Sequence, residues 1–330
     1  MRAVTNGGID AIYPEYLCPI FNPCMIDLYG VTGDVTTTIT CGDVQYVDIR
    51  KPHNGVCQIN IAPYLHSFFG EISEALVQAP YLTFDPVRQK VVEVMVQHNA
   101  TLGTALVFTD TLLALWAGVA LGEELHRPIR QRYYKKSSIQ TATFLALQGG
   151  GEVTVQGTST EIEEGYNEIT LKAILQNATN PINVDVDGVI HEFTEDDSDV
   201  SCGIMLKWQD AQGYRRFYLF QEGEETITTK DCGEALPRFY SLDYGTYYGQ
   251  TTIPQGFTTT KTKKLCAVFS TEEDRTLINT LFTAPFVWIV TEENTDGIPV
   301  TIKRGNIGTA KGLQDFEFEI NLPATPSITI

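Results

Sequence analysis

Period-two alternation dominates the hydrophobic pattern of this chain. Phe316-Glu317-Phe318-Glu319-Ile320-Asn321-Leu322 sets apolar side chains on one face and acids and an amide on the other, as a half-buried strand requires. The same period recurs in short runs at Met25–Tyr29, Thr36–Thr40, Val44–Ile49 and Val56–Ile61, divided by Gly- and Asp/Asn-bearing turns. Strands at that spacing suit a sandwich or barrel. Val91–Gln97 and Leu102–Phe108 read as a hairpin. Gly203–Trp208 and Arg215–Phe220, joined by Asp210-Ala211-Gln212-Gly213, read as a second hairpin with aromatic residues on both arms. Phe286–Val290 and Pro299–Lys303 are two further strands. Thr111–Val119 is ambiguous, since Leu112, Leu113, Leu115 and Trp116 fit a short helix face while Gly118 and Gly122 interrupt it.

Helical signals are few. Thr271–Thr283 has the clearest, with apolar Leu277, Ile278, Leu281 and Phe282 and three acids in its first turn. Ser270 and Glu273 stand at capping-box spacing, the acids suit the positive end of the helix dipole, and Pro285 ends the run. Asn60–Gly70 predicts a turn or two of helix with Pro63 near its start. His66 there, among Leu65, Phe68 and Phe69, reads as a core or interface residue.

The expected fold class is therefore mainly β: two tandem β-sandwich or barrel-like modules with a few short helices. Residues 1–21, with Gly7-Gly8, Pro14 and Pro19, read as an extended N-terminal arm. Residues 22–148 form the first module. Gly149-Gly150-Gly151 reads as a hinge, because neither GK[ST] nor a helix pattern follows to make it a phosphate loop. Residues 152–330 form the second module, with the capped helix at 271–283. A weak echo supports tandem modules: Asn22–Val31 and Asn180–Val189 share Asn-Pro, Asp, Gly and Val at matching positions.

Composition narrows the function. Of 330 residues, 43% are hydrophobic and only 19% charged, below the usual quarter, as in a subunit that hides surface in neighbours. Residues 1–150 carry 13 acids against 10 bases, and residues 151–330 carry 28 against 13. So acidic a second half repels phosphate backbones, and no nucleic-acid contact is expected. The basic cluster Arg127, Arg130, Arg132, Lys135, Lys136 reads as a charged loop meeting an acidic neighbour. No apolar stretch reaches membrane-spanning length, and Met1–Tyr16 lacks the apolar core of a cleaved leader. Seven scattered cysteines lack zinc spacing and read as reduced, mostly buried thiols. Glu192–Asp199 has acids but neither the glycine turn nor the closing Glu of a calcium loop. No nucleophile elbow or triad order is present. No enzyme, cofactor or metal is expected. Trp208, Tyr244, Tyr247 and Tyr248 are the candidate subunit-contact or ligand-stacking residues.

The hairpin GIMLKWQDAQGYRRFYLF, followed by APFVWIV, PVTIKRG and KGLQDFEFEINLP, resembles structural tail or baseplate proteins (distal tail or tail-hub-like) of Bacteroidetes phages and prophages. The likeness lies mostly in residues 180–323 and departs from the commoner pattern at Phe217 and Tyr218, where Trp is usual. It implies a non-enzymatic virion subunit in a homo-oligomeric ring, with copies of itself and other tail proteins as partners, assembled in the host bacterial cytoplasm. The alternative is a β-sandwich carbohydrate-binding or adhesin module that stacks sugars on the four aromatic residues. A hydrolase stands third.

Overall fold

The structure is a computed structural model that describes residues 2–69, 83–84, 88–99, 105–120, 124–175, 177–178, 182–232, 236–237, 252–253, 256–268, 271–295, 297–303 and 315–323. It is mainly β, with sandwich and barrel modules and three short α-helices among the described residues.

The first sandwich is built from β1 (Arg2–Asn6), β2 (Ile9–Tyr13), β3 (Leu17–Pro19), β4 (Met25–Tyr29), β5 (Val35–Cys41), β6 (Val44–Arg50) and β7 (Val56–Asn60). Helix α1 (Ala62–Ser67), the short β8 (Thr83–Phe84), β9 (Gln89–His98) and β10 (Leu106–Leu115) follow. One sheet runs β1-β2-β4-β7 and the other β3-β10-β9-β5-β6. Their inner faces meet in one core that includes Tyr13, Ile26, Ile59, Ile39, Val94 and Phe108.

The N-terminus is thus not an extended arm. Asn6 pairs with Ile9 across Gly7-Gly8, and both glycines take positive φ, 58° and 81°. That is a two-residue hairpin turn in the form that matches strand twist. Ala11 and Tyr13 are fully buried behind it. Nor are all the thiols free: a disulfide joins Cys18 and Cys24, which a turn at Pro19–Asn22 brings together. Cys41, Cys57, Cys202 and Cys266 are free.

The second sandwich contains β11 (Arg130–Tyr134), β12 (Thr141–Ala146), β13 (Gly151–Val155), β14 (Thr158–Ile162), β15 (Gly165–Thr170), α2 (Leu171–Leu175), β16 (Ile182–Val186) and β17 (Val189–Asp196). Its sheets are β11-β17-β16-β13-β14 and β12-β15-β8, closed over Phe144, Ile169, Val184 and Phe193. The glycine triplet therefore lies inside this sandwich and is no module boundary. β12 pairs with β15 across it, and β11 pairs in parallel with β17. Gly149 and Gly150 make a tight turn, and a Cβ on Gly150 would sit 2.7 Å from the Ile162 carbonyl oxygen. The echoing segments are both interior strands, β4 and β16, each between two antiparallel neighbours and each followed by a positive-φ glycine.

The remaining elements are β18 (Ile204–Gln209), β19 (Arg215–Cys232), β20 (Leu236–Pro237), β21 (Thr252–Ile253), β22 (Gly256–Val268), α3 (Glu272–Thr283), β23 (Phe286–Val290), β24 (Ile298–Lys303) and β25 (Asp315–Leu322). Six of them close a barrel, β18-β19-β22-β25-β24-β23. The aromatic hairpin pairs as its alternation predicts, Ile204 opposite Phe220 and Gln209 opposite Arg215. Helix α3 puts Leu277, Ile278 and Leu281 into the barrel core with Leu206, Phe220, Phe318 and Ile320. The N-cap is Thr271, not Ser270, which lies outside the described residues. Its hydroxyl accepts the Asp274 N–H at 3.1 Å. The predicted reciprocal partner Glu273 instead reaches Arg130.

The three units meet on a buried polar junction. Arg88, before β9, donates to Glu168 of β15 at 2.9 Å, and Arg215 of β19 reaches the same carboxylate oxygen at 2.7 Å. Thr141 donates to the other oxygen. Arg88 also donates to the Gly213 carbonyl and lies over the Tyr166 ring. Tyr166 donates to the Gln212 carbonyl at 2.6 Å, and Gln89 bonds both the N–H and the carbonyl of Tyr166. The same junction resolves the ambiguous run at Thr111–Val119. It ends β10 as a strand buried on both faces, because Leu113 and Leu115 pack on Tyr166 and Tyr214. Such a strand reads as a continuous apolar run.

Two outcomes are expected. Glu168→Ala removes the carboxylate that two buried guanidiniums share and should cost about 3–5 kcal/mol in urea unfolding. The second concerns His191, buried in β17 with its ring edge-on to Phe144 and its Nδ1 accepting the Ile129 N–H at 3.1 Å. Burial, then the neighbouring His126 and Arg216, hold its pKa at about 3 against an ordinary 6.5. The unfolded chain therefore binds the extra proton between those values. Stability should fall as pH drops from 6.5 towards 3, with a slope contribution of up to about 1.4 kcal/mol per pH unit. His191→Gln should flatten that slope even where it lowers stability at neutral pH.

Candidate interaction surfaces

The barrel hairpin β19–β22 outgrows the barrel. β18 accompanies β19 only to Phe220, and β25 accompanies β22 only to Lys261. From Thr228–Thr260 to Cys232–Gly256 the two strands pair only with each other among the described residues, and the ribbon resumes as β20 and β21. A register shift between Glu222 and Glu225 marks its departure; such bulges bend and twist a strand. Every described β19 side chain from Glu224 to Asp231 is exposed. Cross-strand register puts three pairs on one face: Ile227 with Lys261, Thr229 with Thr259, and Asp231 with Phe257. Ile227 is 63% exposed and Phe257 42%. Near the base, Lys261 bridges Glu225 at 2.7 Å and Lys263 bridges Glu222. The hydrogen bond from Lys261 is the main cause that holds the Glu225 carboxyl below its ordinary pKa.

A second uncovered surface lies on the first sandwich. In the sheet β3-β10-β9-β5-β6, paired residues share a face. That places Val107, Gln97, Thr36 and Ile49 in one row, and Thr109, Met95, Thr38 and Val47 in the next. Val47 and Ile49 are 55% and 63% exposed. A groove of about 840 Å³ runs beside them, lined in part by Arg2, Gln45, Glu93, Asp110 and Gln148. Among the described residues β6 has a strand neighbour on one side only.

The basic cluster meets its acidic neighbour within the chain. Arg132 bridges Asp196 at 2.9 Å and Asp274 at 2.5 Å, joining β17 to the first turn of α3. Arg130 bridges Glu192 and Glu273, and Lys135 bridges Glu195. These pairs line a cleft of about 480 Å³. Burial acts to lower the Arg132 pKa, but its bonds to Asp274 and Asp196 outweigh it and hold the group above its ordinary value. Three of the five cluster residues, Arg130, Arg132 and Lys135, are thus paired with acids. Of the acids in Glu192–Asp199, Asp196 holds Arg132, and Asp199 caps a 3₁₀ turn through Ser201. Among the described residues no group of three or more His, Cys, Asp and Glu is placed to hold a metal ion. No described helix is long and apolar enough to cross a membrane. An apolar cleft of about 480 Å³ between β13–β14 and α2, with Val155, Ile169 and Ile174 in its wall, carries no titratable lining residue.

Trp208 is not a surface residue. It is fully buried in the barrel, and its indole N–H donates to Thr280 Oγ1 of α3 at 2.9 Å. Ile204, Leu206 and Trp208 share the barrel-facing side of β18, so neither sugar stacking nor a subunit contact reaches it. Tyr244, Tyr247 and Tyr248 lie outside the described residues. His66 is exposed, with its ring 5.4 Å from Phe21 and 5.1 Å from Trp116. The exposed residues that stand out, Ile227, Phe257, Val47 and Ile49, were missed by motif reading. For Ile227 and Phe257 the signal was the β-branched runs TITTK and FTTTKTKK, and Val47 and Ile49 lie in the run Val44–Ile49 already read as a strand.

No protein-family model matches the chain, and no curated protein matches it. Among solved structures, one titled "Crystal Structure of the Periplasmic Chaperone SfaE" is similar at 11% identity, over 57% of this chain and the whole of that one, with a TM-score of 0.22. An overlap that low carries no argument about fold or function.

Placed inside the barrel, Trp208 should behave as a core residue. Trp208→Ala is expected to cost about 3–5 kcal/mol in equilibrium unfolding, with the lost tryptophan fluorescence identifying the buried emitter.

Proposed function

We propose that the chain is a non-enzymatic structural subunit of a phage tail or baseplate hub, assembled with copies of itself into a ring. The observation that supports this most is the arm β19–β22. A two-stranded ribbon wet on both faces is marginal by itself, yet this one carries β-branched residues and an exposed Ile227–Phe257 face. Such a ribbon gains its stability by lying on another surface. Reaching a different surface of the next copy makes a heterologous contact, and heterologous contacts close into rings when the rotation allows. The strand pattern shared with tail and baseplate proteins of Bacteroidetes phages gives the assembly its place, the virion, and other tail proteins as further partners. The low charge content agrees with a surface that is covered on assembly. The sugar-stacking alternative is weakened by Trp208, which is sealed in the barrel.

Sedimentation velocity across a concentration series tests the reading. The full chain is expected to self-associate at micromolar concentration. Ile227→Lys with Phe257→Lys, both at exposed positions, should weaken association at least tenfold, about 1.4 kcal/mol, without moving the urea midpoint. A native chain that stays monomeric throughout the series contradicts it.

A further inference from the structure

The first sandwich ends in an open strand flanked by opposite charges. β6 has only β5 beside it, and its outer edge meets no described part of the chain. Gln45, Val47 and Ile49 lie on the uncovered face. On the opposite face Tyr46 leans on Tyr64 and Phe68, and Arg50 bonds Asp48 at 2.8 Å. The charges on that side thus neutralise each other. Exposed Asp43, in the turn before the strand, and Lys51, just past its end, flank it, and neither joins an ion pair among the described residues.

We infer that β6 pairs antiparallel with β6 of a second copy, on a two-fold axis through Val47. Alternate residues of an edge strand turn their backbone groups outward, and opposed residues in an antiparallel ladder must both do so. The axis must therefore pass through a residue and not between two. Three centres keep most of the strand paired. An axis at Asp48 sets Asp48 against itself, a like-charge clash. An axis at Tyr46 sets Asp43 against Ile49 and matches no charges. An axis at Val47 sets Val47 against Val47, Gln45 against Ile49, and Asp43 against Lys51 of the other copy, twice by symmetry. Charge complementarity thus selects both the occupant, a second copy, and the register. The pairing joins two five-stranded sheets and removes an open edge from each, the usual remedy for an exposed edge strand. The inference shares with the ring reading the premise that copies of this chain assemble. A two-fold through β6 and a ring closed by arms combine into dihedral symmetry.

The test is a charge swap in the full chain, read as the dissociation constant by sedimentation or mass photometry. It is run in the Ile227→Lys/Phe257→Lys background to isolate this contact. Asp43→Lys alone opposes Lys51 with lysine, and Lys51→Asp alone opposes Asp43 with aspartate. Each should weaken pairing about fivefold or more. The double swap should restore it, and an equimolar mixture of the two single variants should associate more tightly than either alone. Val47→Pro, which removes an edge donor, should abolish pairing if the fold is retained by circular dichroism. Single swaps that bind like the unswapped chain, or a mixture that fails to recover, overturn the β6 contact. If the native chain associates while the swaps have no effect, the ring reading stands and this inference falls. If nothing associates, native chain included, both fall.

Discussion

Glu168 holds the molecule's three units to one another. Its carboxylate accepts from Arg88 of the first sandwich and from Arg215 of the barrel, while the strand that carries it belongs to the second sandwich. Two guanidiniums share one carboxylate, all with 9% or less of the side chain exposed, in a poorly solvated place. Such a cluster persists only where the remaining donors are satisfied. The Gly213 carbonyl and the Tyr166 ring engage Arg88, and Thr141 adds a third donor to the carboxylate. The specific geometry has a structural consequence. Burial of apolar surface is non-directional, whereas this network fixes which loop of the barrel faces which strand of each sandwich. Gln89, Gln209 and Tyr166 extend the same logic, each bonding a backbone group of another unit.

A second electrostatic seam reinforces the first. Arg132 couples β17 to the start of α3, so the helix that fills the barrel is also tied to the second sandwich. Against this rigid centre, the arm and the β6 edge stand out as unfinished: β-branched, hydrogen-bond competent and uncovered. Both lie away from the junction. Chains that fold fully by themselves tend to blunt or cover such edges; a chain that keeps two has them available to neighbours.

Much of the barrel was legible in the sequence because its signals are local. The turn Asp210–Gly213 sits between two alternating runs, and the N-terminal acids and periodic leucines of α3 fit one helix. The cap fell one residue late because Ser270 and Thr271 are chemically equivalent cap formers. The N-terminal hairpin was legible too, in Gly7-Gly8 between alternating runs, but the nearby prolines argued for an arm. The module boundary was not legible. β11 and β12 precede the glycine triplet and pair with β17 and β15 beyond it, and no local pattern names a distant partner. The same reason hides Arg88, Glu168 and Arg215, which are ordinary charges until the fold brings them together. Trp208 was misplaced because an aromatic residue looks alike in a core and on a binding face. The alternation of Ile204, Leu206 and Trp208 already carried the answer.

The central claim is that the uncovered ribbon and edge are interfaces between copies. Hydrogen exchange of the full chain at low and high concentration measures this directly. Amides of residues 226–232, 256–261 and 44–50 should gain protection as concentration rises, while those of β18 and β23 stay unchanged. Exchange in all three segments that is independent of concentration would contradict it.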